Sequence, residues 1–205
     1  MKWSAANDVV ESLRCETQLY LPALSKRRGF SSSRVEHLLN RLVARMPASE
    51  CYLEVGTLEG RTLEAAAHGN DDKHLVGCDP CQKYAALPAE FGPNVSFVRS
   101  TWQALLANAD DVLTLPIGLV FYDGDHSALE TCDFMSVVSK HLADEAVLVL
   151  DDWDRTSVRD GAYHADGDHW RLLRECPEWT DGLTTAPHHF GYNFGVSVWG
   201  YRRHQ

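Results

Sequence analysis

From Cys51 onward, short β-prone apolar runs alternate with stretches of helical spacing, a rhythm that few folds accommodate. CYLEVG is followed by RTLEAAAH, HLVGCDP by a short helix, and VSFVRS by TWQALLANA. IGLVFYDG then precedes SALETCDFMSVVSKHLA, and AVLVLDDW precedes a region ending in HWRLLREC. Strands separated by helices run parallel, with the helices covering both faces of the sheet. The chain ends differently: LTTAPHHF and FGVSVWGYR are separated only by GYN, which predicts an antiparallel hairpin at the sheet edge.

Ahead of this pattern stand two helical patterns, residues 5–20 and 32–46, joined by SKRRGFSSS. Val35, Leu38, Leu39, Leu42 and Val43 recur at helical spacing, and the serines before them can cap the helix. With 205 residues, 44% of them hydrophobic, the chain can bury one sizeable core and is short for two domains. The expectation is one α/β domain over 1–205, a helical N-terminal extension at 1–48 preceding a core at 49–205.

A net charge of −10 supplies no clustered cations for a phosphate backbone or an anionic membrane, so neither nucleic acid nor membrane is an expected partner. The opening MKWSAANDVVESLRCETQLY has no apolar signal core, and no later run is long enough to span a bilayer. A cytoplasmic location is expected. The six cysteines are scattered and read as free thiols. Cys78 and Cys81 form a CxxC at a strand-to-helix junction, where a lowered thiol pKa would permit redox chemistry, whereas zinc would need a second ligand pair.

In YLEVGTLEGRTLEAA a strand runs into Glu54, Gly56 and Gly60 and a helix follows. A glycine turn there lets the backbone approach a ligand at a helix N-terminus with free N–H groups. The spacing does not match the dinucleotide fingerprint GxGxxG, which disfavours a nicotinamide cofactor. The next strand ends in Asp79, about twenty residues beyond Gly56, where an α/β nucleotide site places a carboxylate for ribose hydroxyls.

Together these features resemble the class I S-adenosylmethionine-dependent methyltransferases, over roughly residues 50 to 155 and the closing hairpin. Glu54-x-Gly56-x-x-x-Gly60, with Thr57 inside it, resembles their first motif, and Asp79 with Pro80 their acidic second motif. The resemblance implies a Rossmann-like fold, a seven-stranded and mostly parallel sheet with a C-terminal antiparallel hairpin and an N-terminal helical cap. It also implies that Ser100, Thr101 and Trp102 lie beside the adenine of S-adenosylmethionine.

The tetrapeptide DGDH occurs twice. The first copy follows IGLVFY, so Asp123 emerges at the carboxyl end of a buried strand, and AVLVL ends likewise in Asp151 and Asp152. In the methyltransferase strand order these strands are neighbours, and three bunched carboxylates call for a hard cation such as Mg²⁺. The sequence is similar here to metal-dependent catechol-type O-methyltransferases, except that Asp152 stands where those carry Asn. An Asp-Asp pair resembles the macrolide-sugar enzymes, and YDGDHS followed by LDDW resembles methyltransferase family 24. His126 stands where the catechol-type enzymes carry a base lysine; it either deprotonates an acceptor hydroxyl or only orients the following helix. Asp125 is either its partner or a helix N-terminal charge.

The second copy, Asp166 to His169, follows no strand and reads as a helix N-cap before HWRLLREC. The segment from Trp153 to His169 leaves the fifth strand above the expected site, so Trp153, Arg155, Tyr163, His164, His169 and Trp170 are candidate acceptor contacts. His188 and His189 read as edge or surface residues. The implied activity is divalent-metal-assisted O-methylation of a small-molecule hydroxyl, on a sugar or a phenol, in a biosynthetic pathway. The alternatives are a metal-independent N- or O-methyltransferase, a thiol oxidoreductase using Cys78 and Cys81, and a non-catalytic cofactor-binding protein. The helical extension either covers its own site or packs against a second copy in a homodimer.

Overall fold

A computed structural model describes residues 2–16, 21–27, 29, 31–81, 91–165, 169–177, 179 and 195–203. Every residue of β1 (Cys51–Val55) and β4 (Ile117–Tyr122) is buried, because helices cover both faces of the sheet. Alternation along each strand then assigns side chains to one layer or the other. Tyr52, Leu119 and Phe121 join one core cluster with α1 (Trp3–Cys15), α2 (Ser33–Arg45) and α3 (Arg61–Ala67). Leu53, Val55, Val120 and Tyr122 join the other, with α4 (Trp102–Ala107), α6 (Ala128–Val138) and α7 (Thr156–His164). The helical extension is thus one face of the domain rather than an appendage.

With α5 (Ala109–Val112) before β4, the strands β2 (His74–Cys78), β3 (Val95–Val98), β5 (Leu142–Leu150), β6 (Trp170–Cys176) and β7 (Val196–Arg202) complete a seven-stranded sheet of order β3-β2-β1-β4-β5-β7-β6. Strands β1 to β5 are parallel, and β7 is antiparallel to both β5 and β6. This is the expected Rossmann-like architecture. The order reverses between β1 and β4, which opens a crevice at their carboxyl ends, the place where open α/β sheets bind ligands.

The helix boundaries follow local chemistry. Ser32 caps α2 by accepting a hydrogen bond from the Val35 N–H, and Ser127 caps α6 by accepting from Glu130 N–H. Gly60, at φ 81°, opens α3 in the left-handed region that glycine tolerates.

The sequence expectation fails in one element. HWRLLREC is the strand β6 rather than a helix, and the predicted strand at 183–190 lies outside the described residues. Pairing with β7 slips between Leu172 and Arg174, so a bulge at Leu173 breaks the alternation that would have marked a strand. The start of β6 pairs with the end of β7, Trp170 opposite Tyr201. Arg202 of β7 in turn pairs with Glu145 near the start of β5. His169 and Trp170 therefore lie at the opposite rim of the sheet from the crevice. This corrects their reading as acceptor contacts, since α7 carries the chain down before β6 begins; the reading of Asp166 or Asp168 as a helix cap falls outside the described residues, and the segment after it is a strand.

Candidate active site

The crevice is held open by the close approach of two backbone turns. Gly56 has φ 86°, and a Cβ there would lie 1.8 Å from the carbonyl oxygen of Asp123. Gly56 N–H donates to Cys78 O at 3.0 Å, and Asp123 N–H to Val55 O at 2.9 Å, which ties the ends of β1, β2 and β4 together. The Asp79 carboxylate braces this turn by accepting from Leu58 N–H at 2.9 Å and from Cys81 N–H at 2.7 Å. Leu58 pays for that contact with a left-handed φ of 48°.

Glu54 lies beneath the turn and is fully buried. Its carboxylate accepts from the Tyr52 hydroxyl at 2.7 Å and from the Thr62 hydroxyl at 2.9 Å. Burial pushes its pKa up to about 7, against the lowering effect of these donors. Glu54 supports the glycine turn from below, as does the buried Thr57, whose hydroxyl is 3.4 Å from Cys78 O. Pro80 is exposed.

A cavity of about 380 Å³ lies over the carboxyl ends of β1, β2, β4 and β5. Gly56, Leu58, Asp79, Asp123, His126, Asp151, Asp152 and Arg155 form its walls, with Ser31, Ser32 and Val35 from the helical extension and Trp179 and Gly195 flanking β6 and β7. Its volume falls within the range usual for small-molecule sites. A larger depression of about 700 Å³ lies at the opposite rim, around Pro47, Glu50, Pro116 and His141, and holds none of the candidate residues.

Three carboxylates share this cavity, as their strand-end positions predict. Burial drives the Asp123 pKa well up, and the charges of Asp151 and Asp152 add to the effect. Burial raises Asp151 and Asp152 too; for Asp152, His126 and Arg155 oppose the rise. Asp152 holds a left-handed φ of 51°, and its Oδ2 lies 3.3 Å from His126 Nε2 and 3.2 Å from Arg155 Nε. Its charge is therefore met by protein side chains. Among the described residues no three His, Cys, Asp or Glu side chains are arranged to hold a metal ion. The donor set as placed here does not fit the expected Mg²⁺ site, because Asp152 is turned into the ion pairs.

His126 is half-buried, and desolvation lowers its pKa despite the neighbouring carboxylate. A neutral imidazole that donates Nε2–H to Asp152 keeps a free lone pair on Nδ1. Asp125 acts on His126 through its charge; its Oδ1 accepts from Ser127 N–H at 2.8 Å, and hydrogen bonds from the Ser127 hydroxyl and then from that N–H hold its carboxyl below the usual range.

Several sequence candidates lie elsewhere. Trp102 donates Nε1–H to Glu130 at 3.0 Å and packs edge-on against Phe134, in the core rather than in the cavity. Thr101 caps α4 beside Ser100. Trp153 is buried, its indole donating to Glu175 at 2.8 Å, and Tyr163 is exposed against Trp153 and Trp199. His164 Nδ1 meets Asp160 O at 2.5 Å at the end of α7. His188 and His189 fall outside the described residues, as do Asp166 to Asp168. Cys78 faces the core with its thiol pushed up to about 12 by burial, the reverse of what a redox thiolate needs.

The extension supplies a wall that motif reasoning missed. Glu36 is fully buried on α2; its Oε1 lies 2.6 Å from Arg61 Nε, and its Oε2 accepts from Leu24 N–H at 2.6 Å and Ser25 N–H at 3.2 Å. Arg61 also donates to Gly29 O at 3.1 Å. The chain leading to Ser31 and Ser32 is thereby tied to the first turn of α3. The signal available in the sequence was the basic and Ser-rich SKRRGFSSS beside a glutamate on an otherwise apolar helix face.

Residues 53–153 match the family model of a methyltransferase domain. No curated protein matches the sequence. Among solved structures, an O-methyltransferase from Bacillus cereus in complex with SAH is 16% identical, with 99% of this chain and 92% of that one covered and a TM-score of 0.61. Cofactor-bound Rv0187 from MTB is 15% identical over 97% of this chain and 91% of that one, with a TM-score of 0.64. The O-methyltransferase TomG from Streptomyces achromogenes, involved in tomaymycin synthesis and solved with SAM, is 18% identical over 98% and 91%, with a TM-score of 0.59. Such identities show a common fold. With its strand order and the domain match over 53–153, the chain belongs to the class I S-adenosylmethionine-dependent methyltransferases.

Proposed function

We propose that this enzyme transfers the methyl group of S-adenosylmethionine to a hydroxyl oxygen of a diffusible small molecule. The observation that carries this reading is the convergence of the Gly56 turn, Asp79, Asp123 and the His126–Asp152 pair on one cavity at the switch point of the sheet. Asp79 receives the ribose hydroxyls, and the acidic wall suits a cationic sulfonium. Two of the similar structures are described as O-methyltransferases, one in complex with SAH and one with SAM.

Methyl transfer is an in-line displacement, so the protein contributes mainly by positioning the acceptor oxygen against the sulfonium methyl. His126 takes the acceptor proton on Nδ1, and Asp152 stabilises the imidazolium that forms. Because Asp152 already pairs with Arg155 and His126, the metal-free alternative is the better supported. The acceptor is a sugar or phenol hydroxyl.

Calorimetric titration of chelator-treated protein with S-adenosylhomocysteine, with and without Mg²⁺, tests this for the wild type, Asp79→Ala and Asp123→Ala. Cofactor binding lost in Asp79→Ala and indifferent to Mg²⁺ supports it. A Mg²⁺ heat present in the wild type and lost in Asp123→Ala would restore metal assistance. Absence of cofactor binding by the wild type would refute the whole reading.

A further inference from the structure

His126 lies in the turn between β4 and α6, one residue before the Ser127 cap. The carbonyls on both sides of it are held from within this part of the chain. Asp125 O accepts from the Tyr122 hydroxyl at 3.1 Å, and Ser127 O from the Thr131 N–H and hydroxyl at 3.1 and 3.0 Å. The His126 carbonyl precedes the cap, so α6 has no N–H to offer it. It accepts instead from the Ser157 hydroxyl on α7, at 2.6 Å.

The pentapeptide SVRDG explains how that hydroxyl arrives. Gly161 stands one turn after Ser157 on the same face of α7, and a Cβ there would lie 2.4 Å from Ala128 O and 2.8 Å from Thr131 Cβ. Glycine therefore lets α7 close onto the first turn of α6, which brings Ser157 to His126. The same short segment holds the imidazole. Arg155 N–H donates to Asp152 O at 2.9 Å and Arg155 Nε lies 3.2 Å from Asp152 Oδ2, which stands 3.3 Å from His126 Nε2. Residues 152–157 thus hold His126 at two points, the ring through Asp152 and the main chain through Ser157.

We propose that Ser157 is a positioning residue for the base: its hydroxyl fixes the His126 main chain so that Nε2 stays against Asp152 and Nδ1 keeps its lone pair free for the acceptor proton. This rests on the reading of His126 as the base of a methyltransferase. A carboxylate beside Nε2 favours the tautomer that carries its proton there, and that preference lasts only while the ring is held in place. Ser157 acts through His126 rather than on the reacting atoms.

The test reads the His126 tautomer from two-bond ¹H–¹⁵N spectra of full-length protein labelled at its histidines, at pH 8, where the imidazole is neutral because burial lowers its pKa. The His126 signals are those missing from His126→Gln. The wild type should show a protonated Nε2 and a bare Nδ1. Ser157→Ala should raise the other tautomer about fivefold or more, the equivalent of one hydrogen bond, so that the two nitrogen shifts converge. Ser157→Thr, which keeps the hydroxyl, should restore the wild-type pattern, and both variants should bind S-adenosylhomocysteine as the wild type does. If Ser157→Ala does not fold, Ser157→Cys, a weak donor of similar size, takes its place with the same expectation. An unchanged tautomer in the folded variant overturns the proposal, even where Tm falls, because that marks a packing role. So does a Ser157→Thr protein that behaves as Ser157→Ala, a wild type with its proton on Nδ1, or a variant that loses the cofactor product. Failure of the wild type to bind S-adenosylhomocysteine is a separate result, which refutes the methyltransferase reading and leaves the tautomer comparison intact.

Discussion

Replacing Glu54 with Gln should make the protein more stable at pH 8 and leave it nearly unchanged at pH 5. In the folded chain Glu54 is buried and titrates at about 7, against 4.5 when exposed. Between those values the folded state binds about one more proton than the unfolded state, so stability falls as pH rises through that window. Two and a half units at 1.36 kcal/mol each amount to about 3 kcal/mol of penalty, fully present above pH 7 and absent below 4.5. Gln removes the charge, but one of its two partners must now accept from its amide, at a cost of about 1 kcal/mol. The net gain at pH 8 is then about 2 kcal/mol, or roughly 4–8 °C in Tm for a chain of this size. Urea unfolding of both proteins between pH 5 and 8.5 measures it. Affinity for S-adenosylhomocysteine should change less than about threefold, because both Glu54 oxygens face Tyr52 and Thr62 rather than the cavity. A Glu54→Gln protein destabilised equally at pH 5 and pH 8 would refute the burial argument, and a large loss of cofactor affinity would make Glu54 a direct ligand contact.

Gly56→Ala should abolish binding of S-adenosylhomocysteine, since its Cβ collides with the Asp123 carbonyl; Gly69→Ala, at φ 70° with open space around it, should cost only about 1 kcal/mol and bind normally. Glu36→Gln should destabilise the fold by about 3 kcal/mol by leaving the Arg61 guanidinium without its counter-charge, and Arg61→Gln in the same chain should recover part of that loss in thermal unfolding. His126→Gln should lower kcat about 100-fold or more with cofactor affinity unchanged. In the wild type the acid limb of the rate profile should lie below 6.5, because burial lowers the His126 pKa from that value; a limb above it would exclude His126 as the base.

Much of the fold was legible because its determinants are local. Alternating strands and helices imply parallel pairing wherever the chain goes, the glycines of the first turn announce backbone that only glycine tolerates, and Asp79 lies one helix beyond them. The serine caps of α2 and α6 could be read the same way. WRLLREC misled because a bulge at Leu173 removes the period-2 pattern, so spacing alone suits a helix. The two DGDH copies could be ranked but not placed: strand direction puts the first over the crevice and the residues after the second at the far rim.

By itself, the sequence determined the layered α/β architecture, the glycine turn and the three strand-end carboxylates, since each depends on residues close together in the chain. Only the tertiary structure decided what those carboxylates meet. Asp152 turns toward Arg155 and His126, the extension is fastened to α3 through Glu36 and Arg61, and Trp179 reaches the cavity from beyond β6. These are meetings between distant segments, set by strand order, strand direction and backbone dihedrals, and no local spacing encodes them.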